Sequence, residues 1–334
     1  MPGEVWRVEA RAGKEVTAGT AVTPTRRLYW DALVVSPERE SRPIRVAKGT
    51  RDNIVGHTQG PFQVGGSFST RIAPGELDEI LEMALRTGVT SSVAMGGTLA
   101  RERAYTPGTT ASATIEFFDG AQNWRCAGAQ VNTLTLDGSV DGETTITCEI
   151  FASDFVSIGS LTGTVTERAI NFLEGWQGTF SLADFGSSTY TAYPDLVQTY
   201  SINLGNNLGR VYTLNDTLAA NRVSVGLLDV TANIGVDATG AFADDIVVNW
   251  RTDVKQVLKL EFLGPADGIE SGQREMLRIE VPGAWTSPDM GGENQGVRSY
   301  GFPFQFVYDP ALAAGIRVTT RNARPATGAG APWE

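Results

Sequence analysis

Apolar residues along this chain occur mostly in short runs in which apolar and polar positions alternate, and Gly, Asn, Asp and Pro separate the runs. Alternation puts the apolar side chains on one face of a β-strand, and the separating residues favour tight turns. The pattern therefore predicts a mainly β protein built from short antiparallel strands. The candidate strands are 66–72, 113–118, 129–136, 144–151, 199–204, 223–234, 246–250, 257–262, 276–281, 302–307 and 316–320.

One segment departs from this alternation and predicts a helix near residues 76–87. Its apolar side chains follow the i, i+3, i+4, i+7, i+8 spacing of a single helical stripe. We expect this helix to cover one face of a sheet. The stripe consists of Leu77, Ile80, Leu81, Ala84 and Leu85.

The residues that flank the stripe mark both ends of the helix. Pro74 and the acidic Asp78 and Glu79 suit the positive end of a helix dipole. Arg86 in the last turn and Gly88 just beyond it suit the negative end and a left-handed cap.

The clearest hairpin is formed around the turn sequence DGSVDG, with alternating apolar positions on both sides. A turn centred near Ser139 and Val140 would pair Val131 or Asn132 with Cys148. Cys126 would then lie several residues away, so we expect two free, buried cysteines and treat a disulfide as the alternative.

A second long hairpin, in residues 220–250, repeats the order of alternating strand, Asp/Gly-rich turn and returning strand. This repetition predicts two tandem β domains, residues 1–165 and 166–334. The first contains the helix near 76–87, and the second ends in a flexible C-terminal tail.

Residues 36–60 are polar and rich in arginine, and they lack the apolar spacing of a core element. One interpretation is a solvated loop. The other is an arm that docks on a neighbouring subunit, because its basic side chains would meet an otherwise acidic molecule. Those basic residues are Arg42, Arg45, Lys48 and Arg51.

The composition narrows the class of protein further. The chain has 334 residues, long enough for two domains, and a formal net charge of −11. Proteins that bind the phosphate backbone of nucleic acids are enriched in Lys and Arg, so this net charge argues against nucleic-acid binding. No apolar stretch reaches the roughly 18 to 20 residues of a membrane helix, and the first residues lack a signal-peptide core. We therefore expect a soluble protein without membrane insertion.

Candidate catalytic residues are few. His57 is the single histidine and lies in the polar segment without a neighbouring cysteine or acidic cluster. Metal-ligand spacings, phosphate loops and nucleophile elbows do not occur. The sequence therefore predicts no catalytic residue, cofactor or metal, although a pair of carboxylates is not excluded by inspection.

Two acidic pairs and four tryptophans have alternative interpretations. Asp137 and Asp141 are interpreted as hairpin-turn residues rather than calcium ligands, and Asp244 and Asp245 as a solvated turn. The tryptophans suit a core or a subunit interface better than a sugar-binding platform. They are Trp124, Trp176, Trp250 and Trp285.

Several blocks, taken in order, resemble the phage tail tube proteins. They are GTAVTPTRRLYW, GGSFSTRIAPGELDEILEMALRTG, YTPGTTASATIEFF, WRCAGAQVNTLTLDGS, SINLGNN, REMLRIEVPGAW and GIRVTTRN. Each block is weakly specific, and their order across almost the whole chain carries the resemblance. It implies a β-sandwich or barrel with a flanking helix, here duplicated in tandem, as a structural and non-enzymatic subunit of the virion tail.

The resemblance also implies partners. Subunits of this family close into rings that stack into a hollow tube, and DNA passes through the lumen without specific binding. Two-domain members form trimers that imitate the hexamers of single-domain members, so a trimer is favoured. Tape measure, tail tip and terminator proteins are the other expected partners, and assembly is expected in the host cytoplasm.

An acidic lumen would keep DNA from binding, because phosphates gain nothing from carboxylates. Alternation places Glu143 and Glu149 opposite the apolar face of their strand, so both are candidate solvent- or lumen-facing acids. The alternatives to a tube subunit are another virion or contractile-secretion-type β-sandwich assembly protein and, less favoured, a carbohydrate-active β-protein.

Overall fold

A computed structural model describes residues 8–47, 53–85, 99–108, 110–165, 170–194, 196–212, 222–224, 226–237, 241–270, 272–294, 297–324 and 333. Within these ranges two α-helices, α1 (Asp78–Ala84) and α2 (Ala241–Arg251), accompany a large set of strands. The strands are β1 (Glu9–Lys14), β2 (Arg26–Leu28), β3 (Ala32–Arg45), β4 (Ile54–Arg71), β5 (Arg101–Tyr105), β6 (Ala113–Phe118), β7 (Asn123–Ser139), β8 (Thr145–Ala152), β9 (Asp154–Ile158), β10 (Gly178–Asp184), β11 (Thr191–Ala192), β12 (Val197–Gly205), β13 (Gly209–Val211), β14 (Arg222–Ser224), β15 (Asp229–Asp237), β16 (Lys255–Leu263), β17 (Met276–Trp285), β18 (Asp289–Asn294), β19 (Val297–Phe306) and β20 (Arg317–Asn322).

The protein is mainly β, as predicted, and its strands pair in antiparallel fashion. Eight strands lie side by side in the order β3, β4, β8, β7, β12, β15, β19 and β18. The first part of β7 leaves this sheet to pair with β6 and β9, and β1 and β2 extend that branch. On the other side β17 pairs with β16 and β20, which continue to β10 and β5.

Helix α1 packs on the buried face of the eight-stranded sheet, which is the predicted position. Leu77, Leu81 and Leu85 are at most 2% exposed, so the predicted stripe is a core face. The helix is shorter than predicted, and Arg86 and Gly88 lie outside the described residues. Its leucines face an apolar layer that includes Leu134, Leu136, Ile146, Ile202, Leu204, Leu277, Ile279, Ile316 and Val318.

Two strand predictions were wrong. Residues 246–250 belong to α2, where Ile246 is buried and Asp244 and Asp245 are exposed residues of its first turns rather than a solvated turn. A short β-branched run fits either element, because periodicity cannot separate them. The predicted strand 223–234 is two strands, β14 and β15, separated at Gly226, where a Cβ would lie 2.4 Å from the carbonyl oxygen of Asn207.

The hairpin of β7 and β8 has a different register from the predicted one. Leu134 pairs with Cys148, and the pairing shifts between Val131 and Thr133. The turn is centred later, where the Gly142 N–H donates to the Ser139 carbonyl at 3.1 Å. A later turn moves every pairing along the returning strand. Cys126 and Cys148 are free and buried, as expected.

The loop interpretation was also wrong for the described part of residues 36–60. Residues 36–45 and 54–60 lie in a long antiparallel hairpin of β3 and β4, and we call the described residues of 36–60 the arm. Residues 36–45 are exposed throughout. A strand that is solvated on both faces has no apolar alternation, so its sequence resembles that of a loop.

A buried carboxylate at the start of α1 ties distant strands together. Asp78 accepts hydrogen bonds from Tyr105 Oη at 2.7 Å, Thr320 Oγ1 at 2.7 Å, Arg103 Nη1 at 3.1 Å and Asn322 Nδ2 at 3.1 Å. Its side chain has no exposed surface. This acid therefore does more than complement the helix dipole, because it connects α1 to β5 and to β20 at the far end of the chain.

The next carboxylate, Glu79, forms a buried ion pair with Arg324, whose Nη1 donates to Oε2 at 2.7 Å and whose Nη2 donates to Oε1. Arg26 Nε lies 3.6 Å from Glu79 Oε1. Burial alone raises the pKa of Glu79, but the nearby Arg324 guanidinium outweighs burial, so the pKa lies below its ordinary value.

A third acid of the same helix holds part of the C-terminal tail. Glu82 accepts from Lys14 Nζ at 2.8 Å and from the indole Nε1 of Trp333 at 2.8 Å, and Trp333 is 8% exposed. The rest of the predicted flexible tail, 325–332 and 334, lies outside the described residues. Three carboxylates of one short helix are thus each paired with cations or N–H and O–H donors from other elements.

Leu81→Ala is predicted to lower the free energy of unfolding by about 2 to 5 kcal/mol, because it leaves a cavity beneath the sheet. Urea unfolding followed by circular dichroism measures this change. Leu227→Ala is the matched control, since Leu227 is 89% exposed and its loss should leave the midpoint unchanged. Equal midpoints for the two variants would contradict the packing of α1.

Arg324→Leu is predicted to cost about 3 to 5 kcal/mol at pH 7, because Glu79 would stay buried without its main cation. The folded-state pKa of Glu79 is lowered, so its stabilising effect is present above the unfolded-state value of about 4.3. The effect is lost as the pH falls through the lower folded-state value. The difference between wild type and variant should therefore shrink in acid, as measured by urea unfolding at a series of pH values.

Arg42→Leu is the control for this experiment, because Arg42 pairs with Glu40 on the solvent-exposed arm. Exposed ion pairs contribute little to folding stability. A loss of stability for Arg42→Leu as large as that for Arg324→Leu would contradict the assignment of the Glu79 pair as the stabilising one.

Candidate functional site

One face of the eight-stranded sheet is solvent-accessible and carries mostly short polar side chains, and we call it the polar face. Strand alternation creates it, because each residue between two buried apolar positions points to the other side. One row across the strands runs Ala32, Ser69, Thr147, Thr135, Asn203, Thr231 and Gln305. The neighbouring row runs Arg71, Thr145, Asp137, Ser201, Asn233 and Pro303.

The charged groups of this face are sparse and mainly acidic. Glu149 is exposed and accepts a hydrogen bond from Thr133 Oγ1 at 2.6 Å. Glu143 is exposed in the turn between β7 and β8 and pairs with Arg71. Both acids named from the sequence therefore face solvent, and Asp137 is exposed beside them.

The sheet ends in two open edges. Within the described residues, β3 pairs with β4 alone and β18 pairs with β19 alone. Their outer N–H and C=O groups are available to another strand. Inside the sheet, β7 of the first half of the chain pairs with β12 of the second half, with Asp137 opposite Ser201 and Leu136 opposite Ile202. We call this pairing the β7–β12 junction.

The arm is the second exposed surface. Arg42 bonds to Glu40, with Nη2 at 2.7 Å from Oε2, and Arg45 is exposed on the same strand. Lys48 and Arg51, the other two basic residues predicted to act in docking, lie outside the described residues. Of the four basic residues, the structure therefore describes Arg42 and Arg45, and both are exposed.

The single histidine and the cysteine thiols lie on separate strands. His57 lies on the exposed arm in β4, not in a loop, and its Nδ1 is 3.2 Å from Ser41 Oγ. Burial raises the pKa of Cys126 to about 12, so its thiol is protonated at neutral pH. Across the described ranges, no group of three or more His, Cys, Asp or Glu side chains is arranged to hold a metal ion.

A polar cleft of about 600 Å³ lies beside β16, β17 and β20. Lys259, Arg278 and Arg317 line it together with Glu280 and Tyr190. Glu280 accepts from Arg317 Nε at 2.6 Å and from the Tyr190 hydroxyl at 2.7 Å. Burial and this hydrogen bond raise the pKa of Tyr190, so it remains a neutral donor.

The four tryptophans lie on four different elements. Trp285 is buried beside Phe304, and Trp124 stacks on Phe155 with ring centroids 4.8 Å apart. Trp250 is half-buried on α2. Trp176, by contrast, is 69% exposed in a short 3-10 turn, Gly175–Gln177. This exposure of Trp176 was not predicted from the sequence, although a tryptophan in a Gly-rich segment without alternation is a usable signal of surface exposure.

The fold and these surfaces define a structural β protein that offers open sheet edges and an exposed arm. The chain belongs to the phage tail tube protein family, whose sequence pattern matches residues 6–305. It is thus a structural component of the virion tail tube. The comparison with curated proteins gave no match. In the part of the chain that the structure describes, no helix has the length and apolar character needed to cross a membrane.

Proposed function

We propose that three copies of this tail tube subunit close a ring in which the eight-stranded sheets join edge to edge around a channel. The observation that carries the proposal is the β7–β12 junction inside the chain. It joins the two halves through backbone pairing and leaves β3 and β18 as the outer edges. Pairing β18 of one copy with β3 of the next would repeat the same type of junction.

Strand order supports two tandem domains, residues 1–165 and 166–334. In the first half β1 pairs with β2 and β6, β4 with β3 and β8, and β7 with β6, β8 and β9. In the second half β10 pairs with β11 and β16, β15 with β12 and β19, and β17 with β16, β19 and β20. The two networks correspond strand for strand, and a helix follows β4 in one and β15 in the other.

This correspondence favours a trimer over a hexamer. With two equivalent units in each chain, three chains supply six units and six junctions of similar geometry. The position of β18 fits this scheme, because it continues β17 and forms a hairpin with β19, as the second part of β7 does with β8. The open edge of β18 thus corresponds to the edge of β7 that receives β12.

The polar face would line the channel. Its hydroxyl and amide side chains are short and neutral, so they offer DNA phosphates no cation to bind. Arg71, the cation of the two rows described, is paired with Glu143. Glu143 and Glu149 would add repulsion without closing the channel, and the net charge of −11 acts in the same direction.

The subunit would act without catalysis, by assembly alone. Copies of itself are the main partner, through ring closure and stacking, and tape measure, tail tip and terminator proteins would meet the finished tube. Assembly would take place in the host cytoplasm. Electron microscopy of the purified protein tests the proposal, with rings or hollow tubes as the expected result and a ring mass near three times 35.7 kDa by native mass spectrometry. A protein that stays monomeric at high concentration would contradict it.

Val35→Pro is predicted to leave the monomer folded and to abolish ring closure. The Ile72 N–H donates to Thr144 on β8, so by alternation Ser67 of β4 bonds to its partner Val34 on β3. The N–H of the next residue, Val35, therefore points to the open edge. Proline removes that donor and is tolerated at strand edges, as at Pro37 of the same strand. Val35→Thr is the control, because it keeps the N–H. Circular dichroism should show folded protein in both cases, and rings of unchanged mass for Val35→Pro would contradict the assignment of this edge.

A further inference from the structure

The polar cleft beside β16, β17 and β20 faces away from the eight-stranded sheet. Leu277, Ile279 and Val318, on β17 and β20, belong to the apolar layer that α1 faces. Arg278 and Arg317 occupy the alternate positions of the same strands, so their side chains point to the other side and line the cleft. The apolar layer therefore lies between the cleft and the polar face.

The strands that carry the cleft have counterparts in the first half of the chain, β6, β7 and β9, and the register is the same. Glu261 of β16 is opposite Arg278 of β17, as Glu116 of β6 is opposite Arg125 of β7. Each arginine is in turn opposite the third residue of the last strand, β20 or β9. The two halves therefore carry the same cross-strand pair of charges at corresponding positions.

In the first half a segment of the chain binds beside this pair of charges. The Thr162 N–H donates to Glu116 Oε2 at 2.7 Å, and the Thr162 hydroxyl donates to Oε1 at 2.9 Å. Arg11 Nη1 donates to the backbone carbonyl oxygens of Thr162 and Gly163 at 3.1 and 2.7 Å. Glu116 is 1% exposed. The charged surface of the first half therefore holds a peptide segment, mainly through hydrogen bonds to its backbone.

The second half leaves the corresponding place open. The connection from β1 to β2 spans residues 15–25 and reaches over β6, where the Val22 N–H donates to Thr114 Oγ1 at 3.0 Å. The corresponding connection from β10 to β11 spans only residues 185–190. This shorter connection forms one wall of the cleft and does not fill it.

A buried carboxylate holds the walls of the cleft in place. Asp309 is 0% exposed, and it accepts hydrogen bonds from the Gly186 N–H at 3.2 Å and from the Ala311 N–H at 2.8 Å. Gly186 and Ala311 belong to the two loops that form the walls. The cleft is therefore formed before a ligand binds, which reduces the entropy that binding costs.

The cleft carries an excess of positive charge in an acidic protein. Its cations are Lys259, Arg278 and Arg317, and the acids paired with them are Glu261 and Glu280. Arg317 donates to Glu280 through Nε, and Arg278 donates to Glu261 through Nε and Nη2. Within the described parts of the chain, both Nη atoms of Arg317 and Nη1 of Arg278 have no acceptor. These N–H groups can therefore bind a further carboxylate.

We propose that this cleft binds an acidic peptide segment of another protein, with a carboxylate of the peptide on the guanidinium groups of Arg278 and Arg317. The corresponding surface of the first half already holds a peptide segment, and the positive charge of the cleft selects an acidic one. If the polar face lines the channel, the cleft lies on the outside of the tube, and ring closure through β3 and β18 leaves it accessible. The choice of another protein over a second copy thus rests on the proposed function, whereas the binding of an acidic peptide does not.

A fluorescein-labelled short peptide of alternating glutamate and serine tests the binding. Fluorescence polarisation measures its affinity for the full chain, and a peptide with glutamine in place of glutamate is the control probe. We expect the acidic peptide alone to bind, with an affinity that falls as salt is added, because salt screens the attraction between exposed charges. Absence of binding, or equal binding of the two peptides, would overturn the inference.

Two variants locate the binding in the cleft. Arg278→Gln removes a cation, and Ser188→Glu adds an acid to the exposed wall. Each is expected to weaken binding of the acidic peptide about tenfold or more. Ser157→Glu is the matched control, because it makes the same change at an exposed serine on β9 in the first half and should leave the affinity unchanged. Circular dichroism should show that all three variants are folded, and equal affinities of Ser188→Glu and Ser157→Glu would contradict the assignment of the cleft.

Electron microscopy of the same variants separates this inference from the proposed function. We expect Ser188→Glu to form rings and tubes like the wild type. Loss of rings in Ser188→Glu but not in Ser157→Glu would identify the cleft as a contact between copies and would overturn its assignment to another protein. Wild-type protein that binds the acidic peptide but forms neither rings nor tubes would contradict the proposed function and still support the peptide site.

Discussion

Backbone pairing at strand edges is the constraint on which this structure depends. Every strand has N–H and C=O groups along both sides, and a sheet that does not close on itself must leave two rows of them unpaired. Here β7 and β12 satisfy each other within the chain, while β3 and β18 remain at the outside. In a solitary monomer such edges are a liability for aggregation. In the ring that we propose, the same edges would join neighbouring copies into a continuous sheet.

The structure also depends on how α1 is anchored, because this helix holds the two halves of the chain together beneath that sheet. Its leucines enter the apolar layer, whereas Asp78, Glu79 and Glu82 are all buried and all paired. Buried carboxylates tolerate few arrangements, since each oxygen needs a donor at hydrogen-bond distance. Thr320 and Asn322 on β20 donate to Asp78, and Arg324 just beyond it donates to Glu79, so the network holds β20 against α1.

The exposed apolar groups, like the open strand edges, do not stabilise a single chain. A tryptophan that is 69% exposed and an arm tipped with valine and isoleucine add little to the stability of one chain. They lie at opposite ends of the eight-stranded sheet. The polar face differs from these groups, because its Ser, Thr and Asn side chains form a hydrated surface that offers a polyanion few cations to bind.

The sequence by itself determined the features that depend on local periodicity: the mainly β fold, most strands, the buried stripe of Leu77 and Leu81, and the outward direction of Glu149. These follow because side-chain direction repeats every two residues in a strand and every 3.6 in a helix. Tertiary structure alone decided that 246–250 is helical, that the solvated arm is a paired hairpin, and that Glu79 meets Arg324, 245 residues away. Each of these depends on a partner distant in the chain, and neither spacing nor composition specifies which distant partner an exposed strand or a buried charge will find.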